Sequence, residues 1–417
     1  MSPAQTIHVY WDHRRRGAVP ALMGILSVQL SRGKELFAFS FEKEWLKNNP
    51  VRNLDPDLQL YAGPQYASKP NFGLFMDSAP DRWGRTLMQR RAAMQARQAG
   101  QASKPLTETD YLLGVYDQTR MGALRFKTSP DGAFLHHDSA LAAPPWARLR
   151  ELEEACRHLE EDRDYPAHEK WLVMLLAPGS SLGGARPKAS VTDPAGNLWI
   201  AKFPSRQDQA NTAAWEFVAM QMAREAGIQI PECRLEQFSR FGSTFLARRF
   251  DREGDDRIHF ASAMTLLGKN EGANAQDGST YLELAEFITR YGARPQQDLT
   301  ELWRRIVFSI AISNTDDHLR NHGFLLTASG WTLSPAYDLN PNPQRSGLAL
   351  NITESDNALD FALAEEVAPL FRLSSGQAGE IIQRVRGAVS HWRQVASRAG
   401  IGRSEQEGMQ NAFRVAE

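Results

Sequence analysis

Two cysteines in 417 residues, Cys156 and Cys233, exclude a disulfide framework and carry no metal-ligand spacing. So few thiols suit a reducing compartment. No apolar run approaches the ~20 residues of a membrane-spanning helix, and residues 7–11 read as a strand where an apolar leader would stand. A net charge of -1 leaves no overall field for nucleic acid or an anionic membrane. The basic clusters His13-Arg14-Arg15-Arg16 and Arg90-Arg91 read as solvated surface. There is no internal repeat and no low-complexity tract. A soluble, cytoplasmic protein of two or three structural units is expected, with the ordinary 42% hydrophobic and 23% charged composition.

The first 130 residues alternate short strand patterns, such as 24–30 and 36–41, with Gly, Pro and Asn turns. From Arg82 a run of Arg, Ala, Met and Gln has high helix propensity. Residues 138–146 are the best linker, with an acidic amphipathic helix over 149–162 beyond them. Strands are expected over 189–203, with a turn at 193–197. A helix over 209–226 is stopped by Gly227, and strands resume to Phe250. From Tyr281 the chain reads as mainly helical. The division is therefore 1–137, 147–260 and 261–417, and the fold class α+β with two lobes, strand-rich before helical.

Gly179-Ser180-Ser181-Leu182-Gly183-Gly184-Ala185-Arg186-Pro187-Lys188 is a small-residue loop that feeds a strand. Glycines let backbone N–H groups approach phosphate oxygens, and the serines, Arg186 and Lys188 add polar contacts. No Gly-Lys-Ser/Thr closes it, so it is not a Walker A loop, and alone it reads as a flexible turn. Lys202 stands in the apolar run Trp199-Ile200-Ala201-Lys202-Phe203 and calls for an anion, unless it points to solvent before Pro204. Glu216 on the next helix is a plausible partner for it, and an ordinary exposed helix glutamate is nearly as good a reading. Arg248-Arg249-Phe250-Asp251-Arg252 stands where a hinge would offer backbone groups to adenine. Spacing alone favours a surface ion pair between Asp251 and Arg252.

The richest stretch is Asn314-Thr315-Asp316-Asp317-His318-Leu319-Arg320-Asn321, with Tyr337-Asp338 beyond it. It follows 306–312, which reads as a buried helix end or strand. An acid facing a hydroxyl, with an Asn and a second Asp to hold magnesium, is what phosphoryl transfer from ATP requires. Asp316 lies five before Asn321 and Asp317 only four, so Asp316 is the preferred acid. His318 could touch phosphate or orient the loop. In protein kinases the His precedes the Asp; this Asp-x-His-x-x-Asn order is closer to phosphoinositide-type kinases. A hairpin over 323–333 would return Asp338 to the same metal site.

These motifs strongly resemble the HipA family, the kinase toxins of bacterial toxin–antitoxin pairs. Leu54-Asp55-Pro56 and Pro80-Asp81-Arg82-Trp83-Gly84-Arg85 extend the likeness to the family's N-terminal domain. The resemblance implies a serine/threonine protein kinase with Asp316 as catalytic acid and Asn321 and Asp338 binding Mg2+. It implies that Lys202 meets ATP phosphates, Arg248 and Phe250 meet adenine through backbone groups, and Asp251 meets ribose. His318 and Tyr337 complete the nucleotide set. Ser181, Leu182, Gly183, Gly184 and Ala185, through Lys188, correspond to a phosphate-binding loop that self-phosphorylates at Ser181, or at Ser180 beside it, and is thereby silenced. The implied partners are a HipB-like helix-turn-helix antitoxin, which carries most operator-DNA contact, and a protein substrate in translation such as an aminoacyl-tRNA synthetase. A lipid or small-molecule kinase, and a pseudokinase binding module in a repressor complex, are the alternatives. No membrane partner is implied.

Overall fold

The computed structural model describes all residues except 1–3, 15–18, 50–52, 162–174, 176–183, 185, 345 and 417. It divides into two compact units, residues 1–206 with 248–261, and residues 207–247 with 262–417.

In the first unit, alternate burial makes the strands. β1 (Gln5–Trp11) buries Ile7, Val9 and Trp11, β2 (Ala21–Ser31) buries Leu26 and Val28, and β3 (Lys34–Phe41) buries Phe37, Phe39 and Phe41. That period of two puts one face of the sheet on the core. β2 and β3 pair antiparallel through a turn at Arg32 and Gly33, whose φ values of 50° and 78° both suit a two-residue type I′ hairpin. With β4 (Gln65–Tyr66) and β5 (Leu124–Lys127) the sheet order is β4-β3-β2-β1-β5. Its apolar face is aromatic: Phe39 meets Phe75 edge-on at 5.3 Å, and Phe41 stacks on Trp45 at 5.3 Å.

The helix Arg82–Gln98 starts at Asp81, whose carboxylate accepts from the Gly84 N–H at 2.8 Å. Arg85, one turn in, grips Glu108 with both nitrogens at 2.6 and 2.7 Å. The expected acidic helix spans Leu149–Glu161. β6 (Lys188–Thr192) and β7 (Leu198–Lys202) form the expected hairpin, and its register sets Lys188 opposite Lys202.

The second unit holds β8 (Cys233–Ser239) and β9 (Gly242–Arg248, its last residue grouped with the first unit), so β9 ends two residues short of Phe250. Its helix Thr212–Glu225 is capped by the Asn211 side chain and ends before Gly227 at φ 85°. Helices Tyr281–Tyr291 and Pro295–Ala311 follow, then an antiparallel hairpin of Gly323–Thr327 with Gly330–Leu333. The stretch 306–312, open between helix and strand from sequence, is helical to Ala311.

A histidine pair in the first unit, His259 buried and His13 half-buried, makes its stability depend on pH. His13 Nδ1 accepts the backbone N–H of His259 at 3.0 Å, and the Trp11 ring lies 4.6 Å from that of His259. Burial, with Arg14 adding to it against Asp256, lowers His13 to about 4. Burial and then His13 lower His259 to about 3. Below the ordinary histidine value of ~6.5 the unfolded chain takes up protons that the folded one refuses. Stability is therefore full above ~6.5 and is lost as pH falls toward the folded values, with a limiting slope of about 1.4 kcal/mol per pH unit for each ring. The melting temperature of this unit should fall between pH 7 and 5. A His259→Gln variant should flatten that fall, and calorimetry at five pH values reads both.

Candidate active site

Helix Pro295–Ala311 delivers the acidic loop. After it Ser313 takes a left-handed φ of 51°, and the Asn314 N–H turns back to the Ser309 carbonyl at 2.8 Å. Within the loop the His318 N–H donates to the Asp316 carbonyl at 2.9 Å, and the Asn321 N–H to the His318 carbonyl at 2.8 Å. These turns separate two adjacent aspartates. Asp317 is 3% exposed and accepts from the Tyr281 hydroxyl at 2.7 Å and the Ser309 hydroxyl at 3.2 Å. His322 Nε2 lies 3.1 Å from Asp317 Oδ1. Burial alone would raise the pKa of Asp317, but His322, the Tyr281 hydroxyl and His318 hold it below the usual carboxylate value. Asp316 turns the other way and is exposed.

The hairpin brings the second acid back to this loop. The Tyr337 hydroxyl donates to the Arg320 carbonyl at 2.6 Å, the Asn340 N–H to Asn314 Oδ1 at 3.3 Å, and Asn342 Nδ2 to Thr315 Oγ1 at 3.0 Å. Residues 337–342 are thus sewn along residues 313–320. Asp338, between these stitches, has a left-handed φ of 60°, a conformation Asp tolerates better than most residues. Tyr337 is buried, and its hydroxyl is spent on the loop.

The oxygens here suit a cation. Asn321 Nδ2 donates to the Asp316 carbonyl at 3.0 Å, while Asn321 Oδ1 is buried with no hydrogen-bond partner. His318 Nδ1 is likewise buried without one. Buried polar atoms left in this state want a ligand, an ion or water. Among the described residues no group of three His, Cys, Asp or Glu could hold a metal alone. Magnesium does not require one, since it binds through one or two carboxylates and keeps phosphate and water oxygens for the rest. Asn321 offers such an ion an open amide oxygen and Asp338 a carboxylate.

The remaining candidates are placed as follows. Ser180, Ser181, Leu182, Gly183 and Ala185 lie outside the described residues. Gly184 has φ 94°, and a Cβ there would stand 3.0 Å from Lys188 Nζ. Lys188 is the first residue of β6; its side chain, 5% exposed, binds Asp81 at 2.9 Å, and its carbonyl accepts from Trp83 Nε1 at 3.1 Å. Lys202 ends β7 and is half-buried. Glu216 is 3% exposed and so is no ordinary surface glutamate. Arg248 is exposed and donates to Asn197 Oδ1 at 2.7 Å, and the half-buried Phe250 packs on Phe260 at 6.2 Å.

Asp251 corrects two expectations. It pairs with Arg252 at 2.6 Å, but that pair is buried, not at the surface. Its carboxylate is 0% exposed: Oδ1 takes Arg249 Nε at 2.8 Å, and Oδ2 takes Arg249 Nη2 at 2.6 Å, Arg252 Nη1 at 2.6 Å and the Gly122 N–H at 2.9 Å. No oxygen is left for ribose. Burial opposes ionisation, yet Arg249 and Arg252 hold Asp251 well below the usual carboxylate range.

Sequence reasoning missed Tyr281, Ser309 and His322, which hold Asp317, and Asn340, which donates to Asp338 Oδ1 at 3.3 Å. Of these only Asn340 lies near its partner in sequence, two residues after Asp338.

Two units, one with paired sheets and one mainly helical, and an acid–amide–acid loop define the α+β, two-lobed kinase-like class. The chain belongs to the HipA family: the HipA-like C-terminal domain model matches residues 180–392. It is 24% identical over 248 residues to the serine/threonine-protein kinase toxin HipA of Shewanella oneidensis, covering 52% of this chain and 53% of that relative. Y4dM of Sinorhizobium fredii is 28% identical over 255 residues, covering 54% and 60%. The chain thus spans little more than half the length of the curated relatives it matches. A solved Shewanella oneidensis HipA, HipB and operator DNA complex matches with TM-score 0.64 at 16% identity, over 98% of this chain and 95% of that one. Among the described residues no helix is long and apolar enough to cross a membrane.

Proposed function

We propose that the protein is a HipA-like toxin, an ATP- and Mg2+-dependent serine/threonine protein kinase acting on a cellular protein. The carrying observation is the division between neighbours: Asp317 is consumed by the scaffold, while Asp316 stands exposed beside the open Oδ1 of Asn321. Bound Mg-ATP would supply the transferable phosphoryl group and neutralise its charge. Asp316 would take the proton of the substrate hydroxyl, and Asn321 and Asp338 would hold the metal. Lys202 would contact phosphates, and the backbone at Arg248 and Phe250 would meet adenine. The three-part division at 137, 147 and 260 belongs to the same reading. Transfer of labelled phosphate from ATP to protein, lost in Asp316→Gln, is the expected result. Label on lipid or sugar would make the chain a small-molecule kinase, and equal behaviour of both proteins would make it a binding module.

The regulation and partners follow from the family. A HipB-like antitoxin would neutralise the toxin and carry the operator-DNA contact. The target would lie in translation, with aminoacyl-tRNA synthetases the first to assay. Phosphate on Ser181 or Ser180 would add about -1.5 to -2 charges to a loop meant to receive ATP phosphates, which silences it by repulsion. Incubation with Mg-ATP should yield a phosphopeptide at one of the two serines in mass spectra, and activity should decay as it forms. Neither serine labelled would remove the switch.

A further inference from the structure

We propose that Asn340 is a metal-positioning residue: its amide orients the Asp338 carboxylate, and its side-chain oxygen receives the cation or one of its waters. This rests on the kinase reading and deepens its metal site.

Asn340 is held at both ends. Its backbone N–H donates to Asn314 Oδ1, and its Nδ2 donates to Asp338 Oδ1, each at 3.3 Å. Its own Oδ1 is buried and has no hydrogen-bond partner. Asn321 repeats the arrangement, with Nδ2 spent on the Asp316 carbonyl and Oδ1 open. The nitrogen and oxygen ends of these amides are not interchangeable. Reversing Asn340 would set its oxygen against Asp338 Oδ1, and reversing Asn321 would set its oxygen against the Asp316 carbonyl, acceptor on acceptor.

Each amide therefore gives its donor to the scaffold and keeps an acceptor. On two segments tied together by the Tyr337–Arg320 and Asn340–Asn314 hydrogen bonds, two amide oxygens and the Asp338 carboxylate offer acceptors, a pattern that a hard, oxygen-seeking cation completes and a phosphate does not. The Asn340 amide, donating to Asp338 Oδ1, helps to orient that carboxylate, as partners of ligating carboxylates commonly do.

The test is Mn2+ binding by electron paramagnetic resonance to the full chain with AMP-PNP, beside calorimetric melting. Asn340→Ala should weaken Mn2+ by about ten- to a hundredfold; Asn340→Ser, a smaller change, should do the same and serves should the alanine variant not fold. Asn342→Ala is the comparison, because Asn342 ties the same segment to Thr315 without touching Asp338. Its Mn2+ affinity should stay within about threefold of wild type. Unchanged affinity in both Asn340 variants, or an equal loss in Asn342→Ala, overturns the inference. Wild type that binds no Mn2+ with AMP-PNP overturns the kinase reading itself.

Discussion

Asp316→Gln should lower phosphate transfer by about 10²- to 10⁴-fold, the usual worth of a positioned acid or base, with the melting temperature unmoved. The side chain is exposed, and the Asp316 backbone carbonyl, which accepts from His318 and Asn321, is kept by glutamine. Asp317→Ala should behave in the opposite way. It removes the buried acceptor of Tyr281 and Ser309 and the partner of His322, so a loss of about 3 kcal/mol or more is expected. Kinetics and melting curves of the two variants side by side separate chemistry from scaffold. A thermally destabilised Asp316→Gln with normal turnover per folded molecule would reverse the assignment.

Asp251→Ala should destabilise the first unit by about 3–5 kcal/mol, as removal of one partner of a buried ion pair does. For a unit of this size that is a drop on the order of 10 °C in melting temperature. Three strong donors, Arg249, Arg252 and the Gly122 N–H, would be left around an empty place. The outcome that restores a ribose role is an unmoved melting temperature with a raised KM for ATP. Acid should not mimic this variant at pH 5. The stability Asp251 contributes is complete above the ordinary carboxylate value and is lost only as pH falls through its lowered folded value. His13 and His259, with His136 also held below its ordinary value by burial, contribute to the loss expected between pH 7 and 5.

The elements were legible because their local patterns are strong. β2 and β3 alternate faces on either side of Arg32-Gly33, and Asn211 and Gly227 bracket a helix within two or three residues of its expected limits. The preference for Asp316 over Asp317 needs only a count to Asn321. Partnerships across long separations were not legible. Nothing near Asp251 in sequence announces Gly122, 129 residues away, and nothing near Lys188 announces Asp81, 107 residues away. Local spacing made the first a surface pair, and the small-residue loop with its family resemblance made the second a phosphate contact. Burial reversed the first reading, and the second lysine now has a carboxylate beside it.

The guanidinium of Arg249 reaches the carbonyl oxygens of Thr119 and Arg120, and Arg257 reaches Asp117 and Asp12. The residues that follow β9 are therefore locked into the first 125 residues of the chain. A shortened protein beginning after residue 137 would carry Arg249, Arg252 and Arg257 into its interior with most of their acceptors deleted. Such a fragment should be insoluble even though it keeps every motif of the C-terminal family match. Within the first unit the strand-rich leading segment is therefore not cargo that an engineer could exchange freely; it is the mould in which residues 249–257 are set.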